Sequence, residues 1–207
     1  HNLLVEPIMF EGFTALSLEI KTNFSIKFSL HIFIKLTVAR KLFLTDWIVE
    51  APAIVFHEQS DLITAFENDE LNKDFIAVVP FQGPKQNGMP ELHNLTPSLT
   101  ILQKRGHKVG LITDGRMSGA SGKVPAAIHL TPEAIEGGPI AKIRTGDMIR
   151  IDCENGTLEL FDFNSISKRS PTIIQRKNNT SLGRGLFEMA RKTVSTSERG
   201  ASFILPD

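Results

Sequence analysis

Asp114, Gly115, Arg116, Ser118, Gly119, Ser121, Gly122 and Lys123 crowd into one short run, directly after the apolar stretch Lys108-Val109-Gly110-Leu111-Ile112. A strand that ends in such a loop gathers backbone N–H groups, hydroxyls and charges at one edge of a sheet. That is the chemistry of a site for an oxyanion or a phosphate. The same residues also read as a glycine-rich turn with solvated charges. Two familiar templates fail here. A Walker-type phosphate loop needs Ser or Thr after its Gly-Lys pair, and Gly122-Lys123 is followed by Val124. A nucleophile elbow needs Gly-x-Ser-x-Gly, and neither Ser118 nor Ser121 has glycines on both sides at that spacing. A P-loop nucleotide hydrolase and an α/β-hydrolase are both disfavoured.

A second chemistry-bearing run is Phe81-Gln82-Gly83-Pro84-Lys85-Gln86-Asn87-Gly88-Met89-Pro90-Glu91-Leu92-His93. A carboxylate after a rigid proline, on a glycine-containing loop, suits a hard divalent cation such as magnesium. Glu91 also reads as an ordinary exposed glutamate, and Ser118 as a turn hydroxyl bonded to its own backbone. His93 and His129 lack metal spacing and are taken as structural.

These loops must be positioned by regular elements. Val49–Phe56, Phe75–Val79 and Lys108–Ile112 read as strands, as do Ala126–Leu130 and Met148–Ile151. Thr157–Phe161 alternates like a hairpin partner after the Asn155-Gly156 turn. Ser60 is the expected cap of a helix beginning at Asp61, and Pro97–Lys104 and Leu186–Val194 read as further helices. Strands outnumber helices, which predicts a β-rich α/β domain, a barrel or sandwich with flanking helices. Asn164–Ser181 reads as a polar linker, and its charges Lys168, Arg169, Arg176 and Lys177 as solvated surface. Between Ile26 and Val38 every even position is apolar, a period-two strand signal.

Composition bounds the function classes. At 207 residues the chain holds one large domain or two small ones. The formal net charge is +0, so nothing favours electrostatic capture of nucleic acid or of an acidic membrane. No run is long and apolar enough to span a bilayer, and no signal peptide is visible, so a cytoplasmic protein is expected. The single cysteine, Cys153, excludes a disulfide framework. It sits in Asp152-Cys153-Glu154-Asn155-Gly156, a strand end entering a turn, where a packed thiol is the expected state.

The loop through His129, the Phe81–His93 run and the tail Gly183-Arg184-Gly185-Leu186-Phe187-Glu188 through Glu198-Arg199-Gly200-Ala201 resemble the dihydroxy-acid and sugar-acid dehydratase family. Met-Ser-Gly-Ala-Ser-Gly-Lys-Val-Pro-Ala-Ala, within Gly115–Thr131, resembles the phosphogluconate branch. The resemblance runs from about residue 48 to 207 and is that of the C-terminal part of a longer enzyme. Residues 1–47 carry no resemblance; a shifted reading frame and a lineage-specific extension are both open.

The resemblance implies a swivelling β/β/α barrel-like domain over 48–207. It implies a hydro-lyase that turns 6-phospho-D-gluconate into 2-keto-3-deoxy-6-phosphogluconate in the Entner–Doudoroff pathway. A related sugar-acid or branched-chain dihydroxy-acid dehydratase, and a folded domain without catalysis, are the alternatives. Ser118 is the implied alkoxide base, Glu91 a magnesium ligand, and Arg116 and Lys123 partners of the substrate carboxylate or phosphate. The family's iron–sulfur cluster, of the 4Fe-4S kind, needs several thiolates. Its ligands are therefore expected in an N-terminal half that this chain does not contain. A small sugar-acid phosphate is the implied partner, and the longer protein is expected to be a homodimer. Pro80 departs from the family, which often has arginine there; a proline cannot donate a ladder hydrogen bond, which bears on the strand leading to Glu91.

Overall fold

Phe75-Ile76-Ala77-Val78-Val79 has no polar residue, and a strand of that kind is stable only when both of its faces are covered. The computed structural model, which describes residues 48–117, 124–174 and 187–204, places it in the interior of a six-stranded sheet. The strands are β1 (Ile48–Val55), β2 (Phe75–Val79), β3 (Val109–Thr113), β4 (Ala126–Ala127), β5 (Met148–Asp152) and β6 (Thr157–Leu160), in the order β4-β3-β2-β1-β5-β6. β1 to β4 are parallel, and β5 and β6 run antiparallel at the other end. The sheet curls into a half-barrel, the β-rich α/β class expected from the sequence. The region 1–47, with its alternating run, lies outside the described residues.

Each face of the sheet has its own core. Phe75, Ala77, Val79, Val109 and Leu111 face Leu62 of helix α1 (Gln59–Glu67) and Leu99 and Leu102 of helix α3 (Thr96–Lys104). Ile76, Val78, Ile112, Ile149 and Ile151 face the opposite way, onto Leu130, Ala134, Ile140 and Ile143. The period of two in β2 and β3 thus sends alternate residues into two separate apolar layers. Pro52 lies inside β1 without breaking it. The stretch Ile48–Pro52 pairs with β5, and Ala53–Val55 pairs with β2, so the proline stands where β1 changes neighbours.

Several expectations are corrected. Helix α1 starts at Gln59, not Asp61, and Ser60 lies within its first turn. The cap is made by Glu58 and Asp61, whose carboxylate accepts the Glu58 N–H at 3.0 Å. The strand expected over Ala126–Leu130 has only two residues. The chain leaves the ladder there because His129 and Leu130 donate to Gly115 O (2.9 Å) and Thr113 O (3.3 Å), across the end of β3. Asn164–Ser181 is no plain linker, since helix α4 (Phe163–Lys168) forms there. Nor is Arg169 merely solvated. It grips Asp147 with two N–H···O bonds of 2.6 and 3.0 Å. Arg176 and Lys177 lie outside the described residues.

The hairpin turn after β5 is held as expected near Asn155-Gly156. Asp152 accepts the Glu154 and Asn155 N–H groups at 3.0 and 2.9 Å and the Asn155 side-chain amide at 3.0 Å. Gly156 takes φ +64°. Pro80 disturbs no ladder, because β2 ends at Val79.

Leu99 is 0% exposed between α3 and the sheet, so Leu99→Ala is expected to cost about 2–5 kcal/mol of stability. Ile101, on the outer face of the same helix and 40% exposed, should tolerate alanine within about 0.5 kcal/mol. Urea denaturation of the two variants checks the contrast.

Candidate functional site

In an open parallel sheet the carboxyl ends of the strands are where loops can converge on a ligand. Here the loops leaving β2 and β3 meet at that edge. The exit of β2 runs through Phe81, Gln82 and Gly83 into the short helix α2 (Pro84–Asn87), then through Gly88, Met89 and Pro90 to Glu91. The exit of β3 is Asp114-Gly115-Arg116-Met117.

The two exits are joined residue by residue. Thr113 donates its hydroxyl to Val79 O at 2.7 Å and accepts the Gly115 N–H at 3.0 Å. Asp114 is fully buried. Its carboxylate accepts the N–H groups of Phe81 (3.1 Å), Gln82 (2.8 Å) and Ala134 (2.9 Å). Burial raises the Asp114 carboxyl above its usual range, and the backbone donors oppose that shift. Gly115 allows the loops to touch, since a Cβ there would stand 2.6 Å from Gln82 Cβ and 3.0 Å from Gln82 O.

This junction places Glu91 beside Arg116. The two residues form an isolated parallel bridge. Arg116 Nε donates to Met89 O at 2.8 Å, and its guanidinium lies 3.4 Å from Glu91 Oε2. Glu91 Oε1 accepts the His93 N–H at 3.2 Å. The pair is partly exposed, so it contributes at most about 1 kcal/mol. Its significance is geometric: two runs distant in sequence put a carboxylate and a guanidinium side by side. Ser118 and Lys123 lie outside the described residues, and Met117, the residue before Ser118, packs its sulfur against Thr96 Oγ1 at 3.5 Å.

Backbone strain gathers at the same edge. Phe81, Met89 and His129 all take positive φ, at 64°, 52° and 58°. Non-glycine residues hold such angles only where their surroundings over-determine them, commonly at functional sites.

Sequence reasoning missed Glu133. It is 0% exposed, and its Oε2 accepts the Lys85 N–H at 3.1 Å. Burial, with the charges of Asp114 and Glu136, pushes its carboxyl up to about 7, against the Lys85 N–H. Asp114 was visible only as one charge of the loop. Neither acid shows in the sequence as buried.

The residues present do not fit an iron–sulfur cluster. Cys153 is buried, and burial pushes its thiol up to about 11, so it is poorly disposed to become a thiolate. Among the described residues no three His, Cys, Asp or Glu side chains are grouped to hold a metal ion. Glu91 is a single, partly exposed carboxylate paired with Arg116; its oxygens are the donor type that a hard cation takes. No described helix is long and apolar enough to cross a membrane.

A mixed α/β sheet with a Gly-Met-Pro-Glu loop locked against a Thr-Asp-Gly-Arg loop defines a class. A family model described as dihydroxy-acid/6-phosphogluconate dehydratase C-terminal matches residues 33–201. The chain belongs to that family. It is 55% identical over 155 residues to a phosphogluconate dehydratase of Pseudomonas aeruginosa, covering 74% of this chain and 26% of that protein. It is 49% identical over 159 residues to the phosphogluconate dehydratase of Escherichia coli K12, covering 76% and 26%. Identity to a dihydroxy-acid dehydratase of Streptococcus pneumoniae is 38% over 155 residues, covering 72% and 26%. The chain thus spans about a quarter of the length of these relatives.

Gly115→Ala is expected to force the two exit loops apart and to cost about 1–3 kcal/mol, as overpacking does. Thermal unfolding measures the loss, and an unchanged midpoint would mean that Gln82 moves aside freely.

Proposed function

We propose that this chain is the carboxyl-terminal portion of a phosphogluconate dehydratase, and that its converging β2 and β3 loops form one wall of the active site. The observation that carries the reading is the Glu91–Arg116 bridge, which brings the Gly-Met-Pro-Glu run beside the Thr-Asp-Gly-Arg run. The higher identity to phosphogluconate dehydratases than to the dihydroxy-acid dehydratase supports 6-phosphogluconate as substrate.

Dehydration of such a 2,3-dihydroxy acid breaks the C2–H and C3–O bonds. The C2 proton goes to a base, hydroxide leaves C3, and the resulting enol becomes the 2-keto acid. The C2 proton is weakly acidic, so charge developing beside the carboxylate must be stabilised. Ser118, two residues after Arg116, is the proposed base. A serine hydroxyl serves as one only when a nearby cation lowers its pKa. Glu91 is the proposed carboxylate ligand of that cation, which magnesium would supply. Arg116 and Lys123 are the proposed partners of the substrate's carboxylate and phosphate. The leaving hydroxide calls for a Lewis acid, the chemistry an iron–sulfur cluster supplies when bound. With Cys153 as its one cysteine, this chain does not furnish the thiolates for such a cluster, so catalysis belongs to the longer protein.

In the full-length enzyme, Ser118→Ala is expected to lower kcat by about 10²–10⁴-fold, the usual worth of a general base. Ser121→Ala should cost far less. Equal losses in the two variants would indicate a loop that only cradles an anion, and near-normal turnover of Ser118→Ala would remove it as the base.

Glu91→Gln in the same enzyme is expected to raise the magnesium concentration needed for half-maximal activity, because a neutral amide is a poorer ligand for a hard cation. An unaltered magnesium dependence would take Glu91 out of the site. Turnover of a panel of sugar acids, with and without phosphate, tests the substrate.

A further inference from the structure

Glu133 has no part in that chemistry, yet its placement is costly. It is 0% exposed, and its Oε1 finds no hydrogen-bond partner among the described residues. Its other oxygen, Oε2, holds the Lys85 N–H. The carboxyl is pressed onto Gly83 so closely that a Cβ there would stand 2.3 Å from Oε2. An ionised carboxylate in this position would leave a buried charged oxygen without a donor among the described residues, which is far more costly than a neutral one.

The charged groups facing it are Asp114 from the exit of β3, Glu136 from its own turn, and Lys85 from α2. Lys85 Nζ is itself engaged by the Glu136 carboxylate. Two buried carboxyl groups in one neighbourhood do not readily ionise together. Asp114 has three backbone N–H donors and Glu133 has one. Of the two, Glu133 therefore holds a proton the more readily.

We propose that Glu133 is a positioning residue whose neutral carboxyl clamps the Phe81–Glu91 loop to the sheet, so that its ionisation loosens the loop that presents Glu91. The proposal rests on the reading above only in treating Glu91 as functional; the proton-linked clamp is a property of the loop. Burial shifts the Glu133 carboxyl from its ordinary 4.5 to about 7 when the loop is closed. Between those values the open form binds fewer protons than the closed one. Opening therefore becomes easier as pH rises, and the effect levels off above about 7. From pH 6 to pH 8 this linkage raises the opening equilibrium about tenfold.

Amide hydrogen exchange at Lys85, measured on this chain by NMR and corrected for intrinsic base catalysis, reads the clamp. Protection of the wild-type amide is expected to fall about tenfold from pH 6 to pH 8. Glu133→Gln keeps the shape without the titration and should keep the protection while abolishing the fall. Glu133→Ala should lose protection at both pH values. A pH-independent wild type, or a Glu133→Gln profile that follows the wild type, would overturn the proposal. A ¹³C titration of the Glu133 carboxyl in the wild-type chain needs no variant to fold: a midpoint near 7 supports the clamp, and one near 4.5 refutes it. Neither measurement involves turnover, so failure of the dehydratase reading would leave both results standing.

Discussion

The buried Asp114 carboxylate holds the candidate site together. It lies at the end of β3 and accepts N–H groups from Phe81 and Gln82, which leave β2, and from Ala134, in the segment that wraps over the sheet. Removing a carboxylate from water is costly, and three backbone donors are what make the burial tolerable. Those donors would otherwise be orphaned at the ends of their own elements. One side chain thus satisfies three polar groups and fixes the relative height of three chain segments. Thr113 and Gly115 on either side tighten the same junction, one by bridging to β2, the other by lacking a side chain.

That junction explains the strained backbone at Phe81. Phe81 leaves β2 with positive φ, yet its side chain is 2% exposed in the apolar layer below. The Asp114 bond to its N–H and the packing of its ring together fix the unusual backbone. Downstream, Gly88 and Met89 both take positive φ and turn the chain toward Glu91. Helix α5 (Glu188–Thr193) packs on α2, so the carboxyl-terminal segment backs the same loop from outside. A carboxylate presented this way is positioned by rigid elements rather than by its own ion pair, which is partly exposed and weak.

The two acids beneath the loop have different characters for a physical reason. Burial raises both carboxyls, but at Asp114 three backbone donors oppose the shift, whereas Glu133 has one donor and two neighbouring negative groups. Environment, not residue type, decides how far each buried carboxyl is pushed from its ordinary range. Cys153 illustrates the same rule from the other side. It lies at the end of β5 and is buried, so its thiol packs as a small apolar group.

The sequence by itself determined what short-range pattern can carry. The uninterrupted apolar run of β2, the hairpin around Asn155-Gly156 and the helix over the Thr96–Lys104 region follow from period, turn chemistry and proline placement. The residue types of the site, Glu91 and Arg116, were legible because their runs are chemically distinctive. Tertiary structure alone decided which acids are buried and what they bind. Asp114 finds its partners 32 and 33 residues back in the chain, and Glu133 finds Lys85 at a separation of 48. It also shortened β4, because the backbone beyond Ala127 bonds across the end of β3 instead of continuing the ladder. Arg169 lost its solvated character when Asp147 came within reach, 22 residues away. Local pattern sets the elements, but solvation and hydrogen-bond partners are properties of the assembled chain, and the chemistry of a carboxyl depends on those.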